Sequence, residues 1–510
     1  MAKGNQLKSG VVLSYLNLAL SSLIPFFYTP VMLRILGTSE YGLFSLSNSV
    51  ISYLSLLSFG FGGTIVRYIT FYRAKDEKEK VRKTFGFFLI LFSVIAVIVL
   101  ACGAILTWQA ESIFHRGLTS SEIQKMRILM AIMTFNTAIS FPISVLSSVI
   151  MSYERFVFKK IIDMILTVAA PLTNLVMLFL GFASVGMAVS NTIIQFATLP
   201  ILLLYCLKVI DVKPKVGKLE KGVVKEMVFF SGYTFLGSIV DMLFWATDKV
   251  ILGMLTSTIA VAIYNIGATF NGIVTNLSAA MSNLLAPKTT TMVAKNADKK
   301  ELSDLFLKVG RLQYIVVLLA VSGFAVFGHE FINLWAGKTY SEAYFVALLT
   351  LIPLCIPLIQ NTGLAIVMAQ NKHKFRSIIY LVIAIANVIS TYLLVPYMGF
   401  IGAALCSAVS YVIGQGVIMN VYYYKVTGID IPLFWKNIVR MSIAPAFLIA
   451  GTYVIKNWIR FDTWLLFFVG VICYSIIYAV LIFFCSCNRY EKEVVIRPIR
   501  KTLHLLKNKK

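Results

Sequence analysis

The chain has 510 residues, of which 59% are hydrophobic and only 13% charged, and its mean hydropathy is +0.84. Soluble domains carry about 25% charged residues, so this composition cannot coat a water-facing globule. The formal charge of +24 does not point to nucleic acid either. The Lys and Arg residues stand in short connections between apolar runs, where cytoplasmic loops collect them.

Apolar runs of about 20 residues, the length that crosses a bilayer as a helix, follow one another along the whole chain. They lie near 10–33, 41–65, 85–109, 126–151, 161–181, 185–207, 227–252, 261–286, 309–334, 343–369, 377–396, 400–423, 438–457 and 464–485. The first run is too long for a signal-peptide core and no small-x-small site follows it, so it is read as a retained span. Spans 5 and 6 are joined at Gly181, and spans 11 and 12 at Gly399, which makes two tight antiparallel hairpins. The fold class expected is therefore an all-α integral membrane protein of about fourteen transmembrane helices.

Most of the 46 Lys and Arg residues fall on one side if both termini are cytoplasmic. The densest inside segment is Arg73–Lys83, and the basic tail 489–510 falls inside as well. Attraction to anionic lipid heads, about 1 kcal/mol per charge, accounts for such a tail. The seven cysteines sit in or at the ends of apolar runs, and Cys485-x-Cys487 is not a zinc spacing. No metal site or cofactor is expected.

The chain repeats itself at an offset of roughly 216–222 residues. Met151-Ser-Tyr-Glu-Arg155 pairs with Met368-Ala-Gln-Asn-Lys372, Val185-Gly186 with Ile401-Gly402, and Tyr41-Gly-Leu-Phe44-Ser45 with Val261-Ala-Ile-Tyr264-Asn265. Two parallel six-helix repeats follow, 1–217 and 218–430, with two additional helices in 431–488 and the tail 489–510. Parallel repeats suit a transporter that rocks one half against the other.

Polar residues inside spans are costly, so they carry the functional reading. Span 7 places Ser231, Thr234, Ser238, Asp241, Trp245 and Asp248 three or four residues apart, on one helical face. Span 1 repeats the pattern with Ser14, Asn17, Ser21 and Tyr28. Spans 2 and 8 carry Ser45-Ser49-Ser52-Ser55 and Asn265-Thr269-Gly272-Asn276-Asn283. Spans 1, 2, 7 and 8 are thus expected to line one hydrophilic cavity, although small polar residues also serve helix packing in any membrane bundle. Asp241 falls near mid-span, where a carboxyl suits proton or sodium coupling. It could equally be a structural hydrogen-bond hub. Asp248 is the second coupling candidate, with a local pair to Lys249 as the plainer account. The cations Arg34, Lys249, Arg67 and Arg311 are candidates to hold an anionic substrate. Arg67 and Arg311 also fit the ordinary basic flanks of spans.

Leu36-Gly37-Thr38-Ser39-Glu40-Tyr41-Gly42-Leu43-Phe44 resembles the turn after the first helix in the polysaccharide biosynthesis/oligosaccharide flippase family. Thr247-Asp248-Lys249-Val250-Ile251-Leu252-Gly253 followed by Ala262-Ile263-Tyr264-Asn265 resembles its passage from the seventh to the eighth helix. The family belongs to the multidrug/oligosaccharidyl-lipid/polysaccharide exporter superfamily. The resemblance implies a Wzx-type flippase, not an enzyme, in a bacterial inner membrane. Such a flippase moves undecaprenyl-diphosphate-linked repeat units to the outer leaflet by alternating access, for O-antigen, capsule or exopolysaccharide. It also implies membrane lipids, a polysaccharide polymerase and a chain-length regulator as partners. Arg34 and Lys249 then fit the family's cavity cations, and Asp241 its coupling group. The alternatives are a cation-coupled drug antiporter of the same superfamily, a lipid-linked peptidoglycan-precursor flippase, and a membrane glycan polymerase or ligase. The last is disfavoured by short external connections near 111–125 and 329–342.

Overall fold

In bilayer hydrocarbon every backbone amide must be bonded within the chain, which leaves helices as the form for such apolar runs. The computed structural model describes residues 3–217, 219–294, 298–370, 372–493 and 496. All the regular elements among them are helical. Most of the basic tail 489–510 lies outside the described residues.

Contacts group the chain into two compact units, Met1–Asn265 with Ala384–Ala403, and Ile266–Ile383 with Ala404–Lys510. This grouping divides the chain at a different place from the sequence repeat.

The first unit opens with α1 (Lys3–Leu36), which Gly37, at φ 76°, turns into α2 (Thr38–Ser52). A tight 3₁₀ turn, Tyr53–Ser58, and two left-handed residues, Phe59 and Gly60, precede α3 (Phe61–Ala74). Span 2 is therefore a broken helix, interrupted where the sequence begins its glycine run Gly60, Gly62, Gly63. Next come α4 (Lys78–Phe114) and α5 (Ser120–Ser152), the latter started by a reciprocal Thr119–Glu122 capping box. The hairpin of α6 (Phe156–Phe179) and α7 (Ala183–Leu204) turns at Gly181, φ 84°. Phe61, Phe88, Phe92 and Phe141 stack tilted or edge-on in the core of α3, α4 and α5, with centroids 5.7–6.5 Å apart. Gly103 lets α4 close on Thr134 of α5, as small residues do where membrane helices pack backbone to backbone.

After α7 the chain runs without regular secondary structure over 211–217 beside the start of α4, with Lys215 N–H donating to the Arg82 carbonyl at 3.0 Å. Helices α8 (Lys221–Trp245) and α9 (Thr247–Leu255) meet at Ala246, whose φ of −105° breaks span 7. The unit continues into the first turns of α10 (Thr258–Ala294).

The second unit holds the rest of α10 and α11 (Lys299–Trp335), which is capped by Asp298 accepting from Glu301 N–H at 2.6 Å. Its next span is a pair, α12 (Ala343–Ile359) and α13 (Asn361–Ala369), bent by 43°. Then α14 (His373–Tyr411) reverses at Gly399, φ 54°, and its stretch 384–403 groups with the first unit. Widened π-helical turns flank the short α15 (Asn420–Tyr422), and α16 (Ile431–Lys456) and α17 (Trp464–Leu481) follow. Phe327, Phe461, Phe467, Tyr474 and Tyr478 form a buried cluster that seats α17 on α11.

Among the described residues twelve helices are long and apolar enough to cross a membrane, and the bent pair makes a thirteenth. Lys374–Thr427 counts once there although its 54 residues would extend about 80 Å at about 1.5 Å per residue. That is more than twice the thickness of a bilayer core. The reversal at Gly399 makes it two crossings, which gives the expected fourteen.

Candidate functional site: a polar chamber at mid-span

Within the first unit α2, α5 and α7 line an open-sided cavity of about 440 Å³. Its polar wall comes from three short sets: Asn48, Ser52 and Ser55 from α2 and the turn after it, Asn136, Thr137 and Ser140 from α5, and Asn191 and Gln195 from α7. Each set uses the three- or four-residue spacing that stacks side chains on one helical face. Asn136 is the middle residue of the α5 span, and Asn191 and Gln195 lie in the middle of the α7 span, so the chamber sits midway along those apolar helices. Among the described residues its lining carries no charge.

The hydroxyl protons on this wall are spent locally. Ser140 Oγ donates to the Thr137 carbonyl at 2.6 Å, Thr137 Oγ1 to Met133 at 2.9 Å, Ser52 Oγ to Ser49 at 2.7 Å and Ser55 Oγ to Ser52 at 2.6 Å. Asn136, 8% exposed, donates Nδ2–H to the Ala188 carbonyl at 3.2 Å. That bond fixes the amide's orientation, because a carbonyl only accepts. Asn136 Oδ1 and Gln195 Oε1 are buried and have no hydrogen-bond partner among the described residues.

A second polar cluster ties α9 and the start of α10 into the same unit. Asp248 is 1% exposed and accepts from the Tyr264 hydroxyl and from Thr391 Oγ1 at 3.3 Å, with Asn387 accepting from the same threonine at 3.0 Å. Lys249 Nζ donates to Asn265 Oδ1 at 3.2 Å, and Asn265 Nδ2 donates to the Tyr41 hydroxyl at 2.6 Å and to Ser45 at 3.2 Å. At the end of the unit where α2, α5 and α10 begin, Glu122 accepts from Ser39 at 2.7 Å and from Thr258 at 2.8 Å. Glu40 pairs there with Lys125 at 2.6 Å. Gly42 allows this approach, since a Cβ there would run into the backbone oxygen of Thr258.

The residues singled out in the sequence are placed as follows. Ser52 and Ser55 of the span 2 set line the chamber. Asn17 accepts from Thr167 of α6 at 3.3 Å, and Tyr28 reaches Met187 of α7 at 4.0 Å, so this part of span 1 faces its own unit. Ser14 is half-buried, and Ser21 is exposed with its hydroxyl on the Leu18 carbonyl. Asn276 is exposed in the second unit, and the side chain of Asn283 lies outside the described residues. Arg34 is exposed, and Arg67 is exposed with its guanidinium 4.5 Å over the Phe230 ring.

Two expectations are corrected. The span 7 stripe is not one surface. Ser231 is buried against Thr64 and Asp248 is buried beyond the break at Ala246, while Thr234, Ser238, Asp241 and Trp245 between them are exposed. Arg311 is not an open cation. It is 6% exposed, and its guanidinium forms two bonds with Glu491, at 2.6 and 2.9 Å. A third reaches Asn437 at 2.9 Å and a fourth the Ser486 carbonyl at 2.9 Å, so it clamps the ends of α16 and α17 to α11.

The polar residues of spans 4 and 6 escaped the sequence reading. Their available signal was the pairs Asn136–Ser140 and Asn191–Gln195, each four residues apart in otherwise apolar runs.

Residues 7–287 match the family described as "Polysaccharide biosynthesis protein". The chain is 21% identical over 500 residues to the "Uncharacterized membrane protein EpsK" of Bacillus subtilis (strain 168), covering 95% of this chain and 96% of that protein. Among solved structures it is similar to "Lipid II flippase MurJ, inward closed conformation", with a TM-score of 0.71, 14% identity, and 96% and 99% of the two chains covered. It is also similar to an inward-facing multidrug resistance MATE family transporter of the MOP superfamily, with a TM-score of 0.62, 13% identity, and 82% and 98% covered. At these identities the structural likeness speaks to fold. With the family matched over more than half its length, the chain belongs to the polysaccharide biosynthesis protein family of polytopic membrane proteins.

Proposed function

We propose that the protein is a flippase of a bacterial cytoplasmic membrane, with both termini cytoplasmic, that carries undecaprenyl-diphosphate-linked oligosaccharide repeat units to the outer leaflet for O-antigen, capsule or exopolysaccharide assembly. One observation carries this reading: a chain of a polysaccharide biosynthesis family holds, midway along its apolar helices, a chamber whose lining among the described residues is polar yet uncharged. Lipid cannot solvate such a wall, and a transporter of hydrophilic cargo needs one. Asp241 and Asp248 are the proposed coupling groups for a proton or sodium gradient. Arg34, Lys249 and Arg67 are the proposed contacts for the diphosphate. A polymerase and a chain-length regulator are the proposed partners that consume the product.

A drug antiporter is the less favoured reading. The similar MATE fold covers 82% of the chain and the MurJ fold 96%. Among the described residues, moreover, the chamber's lining offers no carboxylate to a cationic drug. Similarity to a lipid II flippase keeps a peptidoglycan precursor as the second candidate cargo. The test is deletion followed by analysis of lipid-linked oligosaccharide on each membrane face. Accumulation of undecaprenyl-linked units on the cytoplasmic face is the expected result. Normal surface glycan with altered drug sensitivity would overturn the proposal in favour of the antiporter.

A further inference from the structure

The two sequence repeats touch at the end of the first unit where α2, α5 and α10 begin, and one carboxylate stands at that joint. The starts of α2 and α10 are repeat-equivalent, Tyr41–Ser45 pairing with Val261–Asn265, so a contact between their first turns joins repeat 1 to repeat 2. Ser39 Oγ and Thr258 Oγ1 lie 2.9 Å apart, and both reach the same oxygen of Glu122, Oε1, at 2.7 and 2.8 Å. A carboxylate only accepts, so both hydroxyl protons go to Glu122 and the Ser39–Thr258 approach is held through it. The other oxygen, Oε2, is fixed on repeat 1 by the Thr119 backbone N–H at 2.9 Å and the Thr119 hydroxyl at 2.8 Å. Thr258 is 2% exposed, so the bond that crosses the joint is shielded from water.

The surfaces around this carboxylate are smooth. A Cβ on Gly42 would lie 1.9 Å from the Thr258 carbonyl oxygen, and one on Gly117 would lie 2.2 Å from that of Gly253. Backbone therefore rests on backbone across the joint at both points. The nearby ion pair of Glu40 with Lys125 stays within repeat 1, where Glu40 also accepts from Ser184. Charge-assisted bonds are the stronger class, so a joint of this kind holds when closed, yet parts without pulling side chains out of pockets. The sequence places a related carboxylate in repeat 2, since Thr119-Ser-Ser-Glu122 pairs with Thr339-Tyr-Ser-Glu342 at the repeat offset, but Glu342 is exposed.

We infer that Glu122 is a latch between the repeats, bridging Ser39 and Thr258 while this end is shut and giving up Thr258 when the repeats rock apart there. The latch rests on the flippase reading above, since a carrier that opens its site to one side at a time needs such a closure.

The test uses the full chain with Ser39→Cys and Thr258→Cys, in vesicles carrying a fluorescent lipid-linked oligosaccharide. Oxidation should join the two cysteines and stop translocation, and reduction should restore it. Translocation that continues with the disulfide intact, or cysteines that do not join, would overturn the latch. A second measurement needs no cargo and serves if the paired variant misfolds. Ser45, 7% exposed, lies about 9 Å further along α2 than Ser39 at about 1.5 Å per residue, with Asn265 of α10 donating to it at 3.2 Å. In Ser45→Cys, modification by a water-soluble maleimide in nanodiscs, counted at that residue by mass spectrometry, reports how often the joint opens. Adding Thr258→Val deletes the crossing bond but spares the Thr119 cap of α5 and the bond from Ala260 N–H to Ser257 Oγ that starts α10. Labelling should quicken about ten-fold or more, as for the loss of one hydrogen bond to a charged group. Adding Glu342→Gln instead should leave the rate unchanged. An unchanged rate with Thr258→Val, or an equal rise with Glu342→Gln, would overturn the latch. Failure of the wild type to move the oligosaccharide, with labelling as expected, defeats the flippase reading alone.

Discussion

Replacing Glu491 by Ala should loosen the last two helices selectively. In the wild type the Arg311 guanidinium, 6% exposed, meets both oxygens of a carboxylate that is 1% exposed, at 2.6 and 2.9 Å. Without Glu491 the cation keeps only two neutral acceptors, Asn437 Oδ1 and the Ser486 carbonyl. Breaking such a buried pair from one side costs about 3–5 kcal/mol, because the surviving charge stays desolvated. At about 1.4 kcal/mol per ten-fold, opening should become more frequent by a factor of about a hundred to a few thousand. Hydrogen exchange resolved by segment is the assay. Amides of Ile431–Lys456 and Trp464–Leu481 should exchange faster in Glu491→Ala, while α4 and α5 remain as they were. The double variant Arg311→Met with Glu491→Leu removes both charges and should exchange close to the wild type. Wild-type exchange in the single variant, or a double variant as loose as the single one, would refute the account of Arg311 as a clamp.

Other outcomes follow from single contacts. Gly42→Leu should prevent α2 from meeting the start of α10 at Thr258 and sharply lower the yield of folded protein, read by size-exclusion of a fluorescent fusion. A normal yield would show that the approach is dispensable. Asp241→Asn should abolish ion-dependent transport while preserving expression, and unchanged transport would remove its coupling role. Arg67→Leu keeps an apolar contact with Phe230 while deleting the charge that lies 4.5 Å over the ring. Folding should be retained and transport of the lipid-linked substrate reduced, and full activity would strike Arg67 from the cationic contacts.

The architecture was legible because bilayer solvation leaves a coarse signal. Every crossing needs its apolar run, and the two tightest hairpins announce themselves as glycines, Gly181 and Gly399, both found at positive φ. The breaks within spans were less visible. Gly60 stands in a readable glycine cluster, but at Ala246, where α8 gives way to α9, the sequence offers neither glycine nor proline as a signal. The chamber was hidden for a related reason. An asparagine and a serine four residues apart in an apolar helix are compatible with ordinary packing, and only convergence from three helices turns such pairs into a wall. Arg311 shows the opposite limit, since its sequence surroundings match any basic flank, while the carboxylate that occupies it, Glu491, comes 180 residues later.

The absence of charge among the described residues of the chamber wall also has an electrical consequence. A membrane potential does work only on charge that moves through it, about 2.3 kcal/mol per elementary charge per 100 mV. Amides and hydroxyls add nothing to that product. If the protein is the flippase proposed above, voltage would act on the diphosphate and on the coupling ion, so the rate of translocation should depend on potential with a slope set by those charges and indifferent to the length of a neutral glycan.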